Sequence, residues 1–174
     1  MKTYFIGDTH DGHQKILSLR PFQSVEEQRE ALIKNWNSTV LDEDTVFLMG
    51  DIAFESRKLQ REFLSQLRGH KHLILGNHDN LSLGFYRQYF ESIHRVLLLD
   101  SSDFSTIFVL THIPLPHHKI ESLENIFGKR VVNVHAHTHA TADPDLIGDS
   151  LSFPDSYILT SAEATEYKPK MISL

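Results

Sequence analysis

Residues 45–51 read Thr45-Val46-Phe47-Leu48-Met49-Gly50-Asp51. The apolar, partly β-branched run is too short for a helix standing alone and suits a buried strand. Gly-Asp then ends it with a turn and a carboxylate. Outward in both directions the periodicity changes. Upstream, Ser24 and Glu27 form a capping-box signature, with Leu32, Trp36 and Val40 at intervals of four behind it. Downstream, Ser56 can cap a segment that carries Leu59, Phe63 and Leu67 on one face and is closed by Gly69. A strand between two helices is the unit of an α/β fold.

Further runs of the same kind follow: Tyr4-Phe5-Ile6, Leu73-Ile74-Leu75, Val96-Leu97-Leu98-Leu99, Thr106-Ile107-Phe108-Val109-Leu110, Val131-Val132-Asn133-Val134 and Tyr157-Ile158-Leu159-Thr160. The second half is the richer in strands. Two packed β-sheets with helices outside are therefore expected. No repeat or linker divides the chain, so residues 1–174 read as a single domain.

Composition narrows the chemistry. With no cysteine, disulfides, thiolate metal sites and thiol nucleophiles are excluded. The net charge of −6, without a Lys/Arg run, argues against duplex nucleic acid as a partner, while bound cations would let an acidic chain handle phosphate. No signal-peptide pattern stands at Met1 to Phe5, and no apolar run reaches the ~20 residues that span a bilayer, so a cytoplasmic protein without a membrane partner is expected. There are 12 histidines, and their positions are what matter.

Polar motifs follow the strands. Asp8-Thr9-His10 follows the first, Gly50-Asp51 the second, Gly76-Asn77-His78-Asp79 the third, Thr111-His112 the fifth and His135-Ala136-His137-Thr138-His139 the sixth. Each alone has an ordinary reading as a turn or surface pair, and the alternating histidines could be one exposed strand face. Together they converge, because sites in open α/β sheets assemble at the carboxyl ends of strands. Asp8, His10, Asp51, Asn77, His112, His137 and His139 are all oxygen or nitrogen donors. Mixed carboxylate and imidazole donors suit Mn, Fe, Zn or Ni better than Ca or Mg. Seven donors exceed one tetrahedral ion; two divalent ions sharing a carboxylate, ~3.5–4 Å apart, would use them all.

In this order the motifs resemble the calcineurin-like metallophosphoesterases, from Asp8 to His139. Arg20-Pro21-Phe22 and Glu166-Tyr167-Lys168-Pro169 are similar to segments of its small single-domain bacterial and phage members. The resemblance implies two mixed sheets flanked by helices. It implies that Asp8, His10 and His139 hold one ion, that Asp51 bridges, and that Asn77, His112 and His137 complete the other. His78 would be the general acid, with Asp51 and Asn77 also serving catalysis, in hydrolysis of a small phosphodiester or phosphomonoester, such as a nucleotide, by a metal-bound hydroxide. The alternatives are an inactive binding module of the same fold and a nuclease. Two departures stand out. Ala136 replaces the family's usual Gly, and Ile52-Ala53-Phe54 leaves the orienting of His78 to Asp79 or to nothing. Outside the ligand set, Arg20 is a candidate substrate clamp or a structural ion pair. His13, His117 and His118 are candidates for the pocket mouth or the surface.

Overall fold

In the first strand, β1 (Thr3–Ile6), Tyr4 and Ile6 point to one side and Phe5 to the other, and all three are buried. A strand buried on both faces belongs inside a layered fold. The computed structural model, which describes residues 1–139 and 144–174, places it there.

β1 pairs in parallel with β2 (Thr45–Leu48), β2 with β3 (His70–Ile74) and β3 with β4 (Ser92–His94); β9 (Lys170–Met171) runs antiparallel on the other side of β1. The second sheet has the order β5 (Val96–Asp100), β6 (Thr106–Thr111), β7 (Arg130–His135) and β8 (Tyr157–Leu159), with only the β5–β6 pair antiparallel. Both sheets are mixed.

Period-two alternation assigns the layers. Between the sheets lie Phe5, Phe47, Met49 and Ile74 from the first and Phe108, Leu110, Val132 and Val134 from the second. Outside the first sheet, Tyr4, Ile6, Val46, Leu48 and Leu73 meet helices α1 (Val25–Thr39), α2 (Arg57–Leu64) and α3 (Leu83–Tyr86) through Leu32, Trp36, Phe63 and Phe85. Outside the second, Ile107, Val109 and Val131 meet Ile120 of α4 (His117–Phe127). Helix α5 (Pro144–Ser152) precedes β8.

The caps read from the sequence are present. The Ser24 hydroxyl accepts from Glu27 N at 3.1 Å and the Ser56 hydroxyl from Leu59 N at 3.4 Å. Gly69 does not close α2, however. The helix ends at Leu64, and Gly69 (φ 86°) makes the turn into β3, where an added Cβ would lie 2.8 Å from the Asp44 carbonyl. β3 also begins earlier than its apolar run, since polar His70, Lys71 and His72 pair with Thr45, Val46 and Phe47. Among the described residues no helix is long and apolar enough to cross a membrane.

Candidate metal centre

The five motifs leave β1, β2, β3, β6 and β7 at their carboxyl ends and meet at one edge of the sandwich. The loops are cross-tied there. Asp8 N donates to Gly50 O (2.9 Å), His10 N to Asp51 O (3.0 Å) and Ala136 N to His112 O (3.0 Å). Asp8, His10, Asp51, His137 and His139 all hold left-handed backbone, with φ of 45–64°. That conformation is uncommon outside glycine and clusters where structure around it compels it.

Two groups of side chains result. Asp8, His10 and His139 bring one ligand atom each within 4.8 Å of one another, and so do Asp51, His112 and His137. Asp51 joins the groups: its Oδ2 lies 3.8 Å from His10 Nε2 and 3.3 Å from His112 Nε2. Asn77 Oδ1 lies 3.0 Å from His112 Nε2, on the second group. Every one of the seven expected ligands is thus brought to the centre.

The donor set fits divalent cations. Asp8 Oδ1 and both ring nitrogens of His10 are buried without a hydrogen-bond partner. A buried acceptor left unpaired costs ~1–3 kcal/mol, and a cation removes that cost. Tautomers point the same way. His112 Nδ1 lies 2.7 Å from Met49 O, and His139 Nδ1 lies 3.1 Å from both Glu163 oxygens. Carbonyls and carboxylates only accept, so each Nδ1 carries a proton, and Nε2 is the nitrogen that would face a cation at the centre. Burial opposes charge on Asp51, yet the His112 imidazole and the His78 N–H hold its carboxyl down at about 2, so it is ionised at neutral pH.

The carbonyls that the left-handed turns eject from the ladder are caught from behind. Arg20 Nη2 donates to Asp8 O (2.6 Å), and Arg20 Nη1 to Thr9 O (2.8 Å) and to the Gln28 side chain (3.1 Å). Gln28 Nε2 reaches His10 O (3.2 Å). Arg20 also grips Glu163 through Nε and Nη2, both 2.7 Å from Oε1. The substrate-clamp reading of Arg20 is therefore corrected: its side chain is fully buried and its donors are spent on the loop and Glu163. Phe22 packs edge-on to Tyr167, 4.8 Å between centroids, so the two outlying segments of the resemblance meet in this same support.

Glu163 is the residue the sequence reading missed. Burial works against its charge, but the His139 hydrogen bond and the Arg20 guanidinium bring its carboxyl to about 2. Its signal was available, since Ser161-Ala162-Glu163 follows a recognised strand as the other motifs do.

Asp79 does not orient the His78 ring. Its oxygens accept from Asp51 N (2.9 Å), Ile52 N (3.0 Å) and Gly76 N (2.8 Å), which ties two motif loops together. His78 is exposed, its N–H donates to Asp51 Oδ1 (2.9 Å), and its ring leans on Phe54 at 4.8 Å between centroids. Phe54 also stacks on His10 (5.0 Å) and His13 (4.0 Å), whose own centroids are 5.5 Å apart. Rings on opposite faces of Phe54 would be separated by nearly the sum of those distances, so both imidazoles lie under one face. His13 is thus half-buried beside the centre. His117 stacks on Phe153 instead, at 3.4 Å, and His118 is exposed on α4. His135 is buried in β7 against Tyr157, so the three alternating histidines are not one exposed face.

Ala136 has no positive φ, so the family's glycine there is not required by conformation. It is buried at the seam of the sheets, where a Cβ added to Gly7 would lie 2.5 Å from its own.

The family profile described as Calcineurin-like phosphoesterase matches residues 1–133. The chain belongs to that family. An uncharacterized protein of Methanocaldococcus jannaschii is 43% identical over 88 residues, 48% of this calcineurin-like chain and about half (50%) of its own length. The Gene 66 protein of Mycobacterium phage L5 is 32% identical over 160 residues, 79% of this chain and 77% of that one. Among solved structures, a protein of unknown function from Aquifex aeolicus superposes with a TM-score of 0.77 at 22% identity, over 98% of this chain and 95% of that chain, and so shares the fold.

Proposed function

We propose that this family member is a phosphoric ester hydrolase that works with two divalent ions of the Mn, Fe, Zn or Ni kind on a small phosphodiester or phosphomonoester. One observation carries the reading: Asp51 Oδ2 stands between the two groups, facing His10 on one side and His112 on the other. Asp8, His10 and His139 would hold one ion, Asn77, His112 and His137 the other, and Asp51 both. Such ions supply an activated water at neutral pH and take up charge on phosphoryl oxygens.

The chain's own groups do the rest. Asn77 holds its side-chain oxygen toward His112, which leaves its amide N–H2 for a phosphoryl oxygen. Phe54 shields His10 and His13 from water on the outer side, which strengthens electrostatic interactions at the centre. His78 is the exposed imidazole at the rim, anchored by its backbone to the bridging carboxylate. On this reading it gives its proton to the leaving oxygen.

The test is elemental analysis joined to hydrolysis of aryl phosphate mono- and diesters. Two ions per chain and turnover are expected. Asp51→Asn should lose both ions and at least a hundredfold in rate together. Full activity with normal metal content in that variant would refute the shared-carboxylate centre.

A further inference from the structure

The centre has two unlike flanks. His78, Phe54 and His13 gather on the His10 side. On the His112 side lies a separate cavity of about 270 Å³, lined by Leu75, Asn77, Arg95, Val96, His112 and Ile113. Asn77 and His112 belong to both the cavity and the candidate metal centre, so whatever fills the cavity lies against that centre.

Arg95 is its one cationic wall residue. It is the single residue between β4 and β5, where the chain leaves one sheet for the other. Leu75 N donates to His94 O at 2.8 Å, which fixes the backbone before Arg95 beside the Gly76-Asn77 turn. Its side chain is exposed. Among the described residues it has none of the acidic partners that hold Arg20, Arg29 and Arg68. The walls beside it, Val96 and Ile113, are apolar and each 52% exposed. A slot with apolar sides, one unpaired guanidinium and metal ligands for a floor suits an organic arm that ends in an anion.

We propose that this cavity receives the substituent retained on phosphorus, and that Arg95 binds a second phosphate carried by that substituent. The assignment rests on the phosphoesterase reading above for which arm is retained. With His78 serving the leaving oxygen on the His10 side, the arm on the opposite flank is the one that stays. A guanidinium presents paired N–H groups matched to phosphate oxygens, which a lysine cannot reproduce. The substrate class is then a phosphodiester of a phosphorylated alcohol, for which a phosphorylated nucleoside serves as the probe. A monoester would leave the cavity unused.

Two measurements separate the inference from the reading it rests on. Calorimetric binding of thymidine 3′,5′-bisphosphate and of thymidine 5′-monophosphate to the metal-loaded protein requires no turnover. The bisphosphate should bind about tenfold more tightly, and Arg95→Ala should bring that ratio to about one with metal content unchanged. Arg95→Lys should retain only part of the preference. Release of nitrophenolate from thymidine 5′-(4-nitrophenyl phosphate), with and without a 3′-phosphate, should show the same ratio in KM. A bisphosphate preference absent from the wild type, or undiminished in Arg95→Ala, overturns the subsite. Discriminating binding without hydrolysis of either ester would overturn the phosphoesterase reading and leave the subsite standing.

Discussion

Left-handed backbone at Asp8, His10, Asp51, His137 and His139 would be disfavoured in a free chain, by ~1–3 kcal/mol at a strained position. The support is visible residue by residue, and Arg20 and Glu163 are its centre. Glu163→Gln keeps the shape but removes the charge that fixes His139 and answers Arg20. Metal affinity at the Asp8 side should fall ten- to a hundredfold, with the second ion much less affected. Calorimetric titration with Mn or Zn measures it, and two unchanged affinities would reduce Glu163 to a packing role. His78→Ala should do the opposite and leave metal content intact. Loss of rate should be larger by at least an order of magnitude for alkyl or nucleoside leaving groups than for nitrophenolate, which departs without a proton. Equal losses would mean that His78 steadies phosphoryl charge instead.

At the scale of elements, the seam where the loops after β1 and β7 touch is a tight joint between the sheets. Gly7→Ala forces two Cβ atoms to 2.5 Å and should destabilise the protein by ~1–3 kcal/mol, as overpacking does. Adding Ala136→Gly should recover part of it, the remainder reflecting Met49 Cβ at 3.0 Å. Urea denaturation of the two variants checks this; no recovery would show the joint to be limited elsewhere. Elements also mark what the sequence could tell. The strands carrying the motifs were legible because apolar runs end in polar turns, a local pattern. β4 and β9 were not, since Ser92-Ile93-His94 and Lys170-Met171 are too short and polar to announce pairing that their neighbours impose. Arg20 was legible as important but not as buried. Its partners Thr9, Gln28 and Glu163 are scattered through the chain, and no spacing rule links them.

Across the whole molecule, the ligands are divided between the layers. Asp8, His10, Asp51 and Asn77 follow strands of the first sheet, and His112, His137 and His139 follow strands of the second. Bound ions would staple one sheet to the other at the edge where the apolar filling ends. Ions present at a hundred times their Kd stabilise the fold by ~2.7 kcal/mol per site. Chelation of both ions should accordingly lower Tm by about 10–20 °C for a chain of this length. Calorimetry with and without chelator measures it, and a Tm indifferent to metal would show the centre to be uncoupled from the joining of the layers.

Arg20 and the Asp8 loop wait for Glu163, and that wait has a meaning in time. A ribosome adds roughly 5–20 residues per second, so between residue 8 and residue 163 about 8 to 30 seconds pass. Throughout that interval the first motif stands without the carboxylate that steadies it, and for most of it without His139. On the proposed ligand set, an ion caught early would lack His139 and would be readily lost. Choice of metal would thereby fall to the finished chain, when all the proposed ligands are present at once.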